Sequence, residues 1–320
     1  MIRQKLLICG ATGFIGRNLV NHYSTFIEYE VLATYHSNPP FPIQEVKWIK
    51  VDLTDKSEVL EAFQGIDIII QAAASTAGVL ASFTRPESLI TDNVIMNSII
   101  FSVASLLKIK HVIFFSCTIF LPSKDTPIKE SDLDLNLPLH PNYFGTGWTK
   151  IYIEKLCEFH SRNSETKFTV IRHSNVYGPY DRFDPKLSHV LAASIHKLIN
   201  AKHSITVWGT GKEKRDFIYI DDLLSLVNKS IIFQPNNFSI YNCGSSSLTR
   251  IDELISKIIK IINNNNLIIN YDNSMPSIDT NISLDTKKAE DELEWKINTS
   301  LDLGLSKTID WYKSYFSLPL

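Results

Sequence analysis

"LLICGATGFIGRNLV", residues 6–20, decides how this chain is read. Leu6 to Cys9 form an apolar run of strand character. Gly10, Gly13 and Gly16 follow at once, and the segment continues with helical spacing. Gly10 permits the tight turn, Gly13 lets a backbone approach a pyrophosphate, and Gly16 lets the helix pack on the strand. The N–H groups at the helix start then meet the phosphate charge. Thr12, Phe14 and Ile15 join the glycines as candidate dinucleotide contacts. A glycine motif alone is a weak signal; the strand–turn–helix context gives this one its weight.

The rest of the first half repeats the alternation. "KLLICG", "EVLATY", "IDIIIQAAA", "HVIFFS" and "FTVIRHSN" read as strands, with helix-like stretches such as "SEVLEAFQG" and "NSIIFSVASLLKIK" between them. Near-continuous apolar strands separated by helices predict a parallel sheet covered on both faces. The expected fold is therefore α/β, a doubly wound Rossmann domain over residues 1–175, with a return segment at about 216–245. Residues 176–215 and 246–320 are expected to build a smaller mixed domain. "IDELISKIIKIINNNN" reads as one amphipathic helix ending in a solvated asparagine turn.

Composition excludes several classes. A chain of 320 residues, 44% hydrophobic and 21% charged, is ordinary for a globular protein. Its formal net charge of −2 suggests neither nucleic acid nor an anionic membrane as partner. The four cysteines are scattered without CxxC spacing, so neither a disulfide framework nor a metal site is expected. The N-terminus does not read as a signal peptide, and no apolar run reads as a membrane helix. The expectation is a reduced, cytoplasmic protein.

The second strand of a dinucleotide fold commonly ends in an acid that binds the ribose 2′-hydroxyl. Here it ends "LATYHSN", with His36 and Ser37 in that place and Arg17 after the third glycine. A cation and hydroxyls suit a 2′-phosphate, so NADP is favoured over NAD. Asp52, followed by Leu53, lies at a third strand end, where it either accepts from the adenine amino group or caps a helix.

With these motifs in hand, the chain resembles the extended short-chain dehydrogenase/reductases of the NAD-dependent epimerase/dehydratase family, most closely their GDP-L-fucose synthase-like members. "AAASTAGV", with Ala72, Ala73 and Ala74, resembles the loop beside the nicotinamide. "FFSCTIFLPS" resembles the strand carrying the catalytic hydroxyl; "VYGPYDRFDPKLSHV" and "VWGTGKEKRDFIYIDDL" resemble the sugar-nucleotide segments. The resemblance implies hydride transfer between a nicotinamide and a sugar carbon, a nearby acid/base, and a lysine that tunes it and holds the nicotinamide ribose. It assigns the lysine to Lys150 and the orienting hydroxyl to Ser116. It also implies a homodimer joined by helices of "DNVIMNSIIFSVASLLK" and "GWTKIYIEKLCEFH".

The family tyrosine four residues before the lysine is Thr146 here. An aliphatic hydroxyl titrates far above a phenol and is a poor proton shuttle near neutral pH. Tyr143 is the candidate replacement if the helix already runs at that residue, because 143, 146, 147 and 150 would share one face. Its pKa would then be lowered by the lysine charge. Gly145 and Gly147 weaken helix propensity there; a packing aromatic is the plainer reading of Tyr143. The resemblance also assigns His189 to an epimerising pair whose cysteine position holds Thr118. Strand alternation would turn Cys117 away from Thr118. That argues against two-base epimerisation, and dehydratase-type acids are absent at 117 and 118.

The nucleotide end carries Arg215, suited to a diphosphate, with Trp208 and Asn175 at positions that the resemblance places in the sugar-nucleotide site. Plainer readings are a surface ion pair of Arg215 with Asp216 or Asp221, a core aromatic, and a turn cap. The expected partner is a nucleotide-diphosphate sugar. The competing function is a catalytically degenerate member that binds dinucleotide or nucleotide sugar without turnover.

Overall fold

The computed structural model describes residues 3–75, 86–184, 188–275 and 280–318, with backbone alone for 86–88. Strands β1 (Gln4–Cys9), β2 (Tyr29–Tyr35), β3 (Val46–Lys50), β4 (Ile68–Gln71), β5 (His111–Ser116), β6 (Lys167–His173) and β11 (Phe238–Cys243) form one sheet in the order β11-β6-β5-β4-β1-β2-β3. Every neighbouring pair in it is parallel. Strand order reverses between β1 and β4. In such a sheet the crevice beyond the strand ends at that reversal is the ligand site.

The apolar strands are explained by their two faces. Leu6, Ile8, Ile68, Ile70, Ile113, Phe115 and Ile171 enter one core. The alternate residues Leu7, Cys9, Ile69, Val112, Phe114 and Val170 enter the other. Helices α1 (Phe14–Tyr23) and α6 (Ile220–Phe233) contribute Leu19, Val20, Leu223 and Val227 to the first core. Helices α3 (Pro86–Leu106) and α4 (Phe144–Asn163) contribute Ile100, Phe101, Ile153 and Cys157 to the second. A short helix α2 (Lys56–Ala62) joins β3 to β4.

Contrary to expectation, one stretch, Leu89–Leu106 in α3, is long and apolar enough to cross a membrane by length and composition. Its apolarity has a local cause: Ile100, Phe101, Val103 and Ala104 are fully buried in the core between α3 and the sheet.

The later segments add short two-stranded pairings: β7 (Asn175–Tyr177) with β10 (Phe217–Tyr219), β8 (Ser204–Trp208) with β13 (Ile268–Asp272), and β9 (Lys214–Arg215) with β12 (Thr249–Arg250). Helices α5 (Val190–Asn200), α7 (Ile251–Ile262), α8 (Lys287–Leu293) and α9 (Leu301–Tyr315) complete the chain. The amphipathic helix α7 stops at Asn263, whose left-handed φ of 54° satisfies the last carbonyls at the start of the asparagine tract. Asp216 ties this half together: its buried carboxylate accepts from Ser245 N and Oγ, both at 2.7 Å, and from Leu284 N at 3.1 Å.

Candidate active site

The glycine loop is fixed by close approach of backbones. Gly10 takes a φ of +71°, and a Cβ there would lie 2.5 Å from Ala73 Cα. A Cβ on Gly16 would collide with the Gly10 carbonyl oxygen. Gly13 is the N-cap of α1, and no side chain caps that end. The first N–H groups of the helix therefore point outward without intrahelical partners, as an anionic pyrophosphate requires. The residues present fit a dinucleotide.

Around the adenosine end, Arg17 lies in the first turn of α1. Its guanidinium carbon is 4.0 Å from the Tyr180 ring centre and 4.4 Å from that of Phe41, and its Nε is buried without a partner among the described residues. His36 and Ser37 are exposed and bonded to each other at 3.1 Å. The Asp52 carboxylate accepts from Thr54 N at 2.9 Å and Thr54 Oγ1 at 2.7 Å. The helix-cap reading of Asp52 is corrected: Asp55 caps α2, because it is the residue next to the first turn. Leu53 is buried, and Ala72 N closes onto Cys9 O at 3.1 Å. Ala73 N bonds Gln71 Oε1 at 3.2 Å, and Ala74 follows it. Beyond Ser75 the nicotinamide-side loop, residues 76–79 of the expected segment, lies outside the described residues; so do 185–187 of the sugar-nucleotide segment.

The reacting end is built by β5 and α4. Lys150 Nζ donates to Phe115 O at 3.0 Å and lies 4.8 Å from the Phe114 ring centre. Burial lowers its pKa, while Cys117, Glu154 and Cys157 pull it upward. Ser116, the last residue of β5, has a fully buried hydroxyl without a partner among the described residues. An orphaned buried hydroxyl is costly unless a ligand completes it. One turn below Lys150, Glu154 holds Arg172 by a 2.7 Å ion pair, and Arg172 also donates to Glu130 O at 3.0 Å. Both side chains are almost wholly buried, and pairing is what makes such burial tolerable.

The expectations for Tyr143 are corrected. Helix α4 begins at Phe144, and Tyr143 is its N-cap, at the end of a 3-10 turn over Pro141–Tyr143. The helical spacing that joined it to Lys150 therefore does not apply. Its pKa is raised, by burial first, with the Arg215 charge opposing. Thr146 donates to Tyr143 O at 3.4 Å. Gly145 and Gly147 sit inside the helix; a Cβ on Gly145 would lie 2.5 Å from Ile90 Cδ1, and one on Gly147 2.8 Å from Leu139 Cδ1. Close packing outweighs their poor propensity.

The alternation argument for Cys117 and Thr118 also fails, because β5 stops at Ser116 and a turn follows, with Leu121 N bonded to Thr118 O at 2.9 Å. Cys117 lies near Lys150 and Tyr143, since the charges of these groups act on one another. His189 is exposed, at the N-cap of α5. Arg215 lies in β9 and donates to Lys214 O at 2.6 Å. Asp216 is committed to Ser245 and Leu284, and Asp221 faces Lys307 at 3.6 Å. Trp208 is exposed, with Lys197 Nζ 5.7 Å from its ring centre, so the core-aromatic reading is corrected. Asn175 Nδ2 donates to Asp216 O at 2.9 Å. Sequence reasoning passed over Arg172 and Glu154. The signal for Arg172 was available: a charge inside an apolar strand needs a buried partner.

The chain belongs to the NAD dependent epimerase/dehydratase family, whose pattern its residues 6–244 match. Members of this class are NAD(P)-dependent enzymes. Among its relatives are a probable GDP-L-fucose synthase 1 of Oryza sativa subsp. japonica, 28% identical with 96% of this chain and 92% of that protein covered. A GDP-L-colitose synthase of Yersinia pseudotuberculosis is 27% identical, covering 97% and 98%. A UDP-glucose 4-epimerase of Thermotoga maritima, solved with UDP-glucose, shares the fold at a TM-score of 0.86 and 22% identity, with 98% of this chain and 100% of that one covered.

Proposed function

We propose that this protein is an NAD(P)-dependent nucleotide-sugar epimerase/reductase acting at a 4-keto sugar, with NADP favoured as cofactor. The observation that carries the reading is the pairing of Lys150, held on the Phe115 carbonyl, with the orphaned hydroxyl of Ser116 at the end of β5. The bound dinucleotide would supply the hydride acceptor or donor. The N–H groups at the start of α1 hold its pyrophosphate, Lys150 its nicotinamide ribose, and Ser116 orients the sugar oxygen. Arg215, whose charge reaches Tyr143, supports a nucleoside diphosphate at the other end of the cleft. Arg17 and the acid-free end of β2 support a 2′-phosphate.

A second reading is favoured by Thr146: a degenerate member that binds without turnover. Mixing the protein with NADPH and either a GDP- or a UDP-linked 4-keto sugar decides between them. Loss of nicotinamide absorbance with formation of the reduced sugar is expected; binding of both ligands without turnover supports the degenerate reading.

A homodimer is part of the proposal. Ile95 and Leu106 on α3, and Trp148, Tyr152 and Phe159 on α4, are large apolar residues at 40–66% exposure. Helices with this much outward apolar surface suit a two-fold bundle. Light scattering at micromolar concentration tests it, and a monomer would refute it.

A further inference from the structure

Three carboxamides are buried where β4 ends. Gln71 is 1% exposed, Asn97 2% and Asn93 8%, on the face of the sheet otherwise filled by Ile69, Ile100 and Phe101. Burying amides in such a layer is unfavourable unless each is hydrogen-bonded. Here the bonds converge on one short segment. Ala73 N donates to Gln71 Oε1 at 3.2 Å, and Gln71 Nε2 donates back to Ala73 O at 3.2 Å. Two residues on, Ser75 N donates to Asn93 Oδ1 at 3.1 Å, and Asn93 Nδ2 donates back to Ser75 O at 2.9 Å. Ala74, between the two clasped residues, is exposed.

We infer that Gln71, with Asn93, is a positioning residue that holds Ala73–Ser75 as one wall of the nicotinamide end of the dinucleotide site. The inference rests on the proposed function. Sheet order sets which end of the cofactor the segment serves. β4 lies between β1, whose glycine loop takes the pyrophosphate, and β5, which ends in Ser116. The segment that leaves β4 therefore stands on the reacting side of the glycine loop, and Gly10 closes against Ala73 itself. β2, at whose end the 2′-phosphate is proposed, lies on the other side of β1.

Backbone groups fix the direction of each amide, since an N–H only donates and a carbonyl only accepts. Asn97 Nδ2 donates to Asn93 O at 2.7 Å, which turns Asn97 Oδ1 toward Gln71 Nε2, 3.1 Å away. Asn93 Nδ2 also donates to Leu89 O at 2.7 Å. Gln71 Nε2 and Asn93 Nδ2 each serve two acceptors, so neither side chain can turn without stranding polar atoms in an apolar layer. Gln71→Met keeps the side-chain length and removes the bonds to Ala73 and Asn97, which releases Ala73 without opening a large cavity.

Binding tests this without turnover. NADPH and 2′-phospho-adenosine diphosphoribose, in which a hydroxyl replaces the nicotinamide, are titrated calorimetrically against wild type and Gln71→Met. NADPH should bind the variant about tenfold more weakly, and the fragment within about twofold of wild type. Equal weakening of both ligands, or of neither, overturns the inference, because a merely structural amide does not distinguish the two ends of one cofactor. A wild type that prefers NADH is tested in the same way with NADH and adenosine diphosphoribose. Should Gln71→Met fail to fold, NMR of the wild type decides: the side-chain amide signals of Gln71 and Asn93 should shift with the full cofactor and stay in place with the fragment. Signals that respond alike to both overturn it. If wild type binds the cofactor but turns over no keto sugar, the proposed function fails, and the binding comparison still decides where Gln71 acts.

Discussion

Helices α1 and α4 both begin among glycines, and the two sets are constrained by different neighbours. A Cβ at Gly10 meets the backbone of Ala73, and one at Gly16 the backbone of Gly10 and Ala11. At Gly145 and Gly147 the nearest atoms are side-chain tips, Ile90 Cδ1 and Leu139 Cδ1. Backbone tied into the turns at the ends of β1 and β4 yields little, whereas a side chain can change rotamer at about 1 kcal/mol. The dinucleotide end of the molecule is thus fixed by geometry, and the reacting end by side chains that can be exchanged.

The comparison breaks most sharply by mutation of the glycines themselves. Gly16→Ala should abolish dinucleotide binding and cost several kcal/mol of stability, on the scale of other backbone-incompatible substitutions. Gly145→Ala should cost about 1 kcal/mol or gain slightly, since the new clash with Ile90 is offset by helix propensity. Denaturant titration with calorimetric titration of NADPH measures both. Equal losses would show that the α4 glycines are as fixed as those of the loop.

Lys150→Met comes next. It removes a charge held by Phe115 O but leaves the bulk, so folding should survive while turnover falls about 10²–10⁴-fold. Because the Lys150 charge depresses His173, the same variant should raise the His173 midpoint. An unchanged midpoint by NMR would separate the two groups.

The same division explains what the sequence disclosed. Backbone requirements are written as residue identities: glycines at Gly10, Gly13 and Gly16 and apolar runs of strand length specify β1, the loop and the parallel sheet. The partner of a side chain is not written that way. Nothing local to "GWTK" says that Lys150 bonds the Phe115 carbonyl 35 residues away, that Glu154 neutralises Arg172, or that Tyr143 falls one residue outside the helix. Ser116 was legible as a strand-end hydroxyl by resemblance.

A third effect lies wholly within the core. His111 Nε2 is 2.7 Å from Thr169 Oγ1, and Thr169 in turn donates to Gln234 Oε1, so the ring must donate at Nε2. Burial lowers the His111 pKa to about 3, with Lys167 adding to the effect. A folded pKa below the unfolded value means that stability present above about pH 6.5 is lost as pH falls toward 3. Between pH 7 and pH 5 this residue alone should remove about 2 kcal/mol. His111→Gln should flatten that part of the acid limb in urea titrations. If its slope equals that of wild type, another group carries the loss.

The smallest effect tests whether an exchangeable side chain sets a preference on the fixed loop. Arg17 projects from the helix whose start is held by backbone contacts, but its own direction is set by rings, Phe41 at 4.4 Å and Tyr180 at 4.0 Å. Contacts of this kind contribute about 0.5–2 kcal/mol. They engage the faces of the guanidinium and leave its buried Nε without a partner among the described residues. No acid ends β2 to claim a bare ribose diol, and Asp52 is engaged by Thr54. NADP(H) is therefore expected to bind at least as tightly as NAD(H), and Arg17→Met should weaken NADP(H) about tenfold, about 1.4 kcal/mol, while leaving NAD(H) nearly unchanged. Tyr180→Leu should produce part of the same loss, because the guanidinium then keeps its charge but loses one wall. Calorimetric titration of both dinucleotides against the three proteins separates the cases. A tenfold wild-type preference for NAD(H) would refute the 2′-phosphate site. Equal weakening of both dinucleotides by Arg17→Met would place the side chain on the pyrophosphate, making it part of the fixed end of the molecule after all.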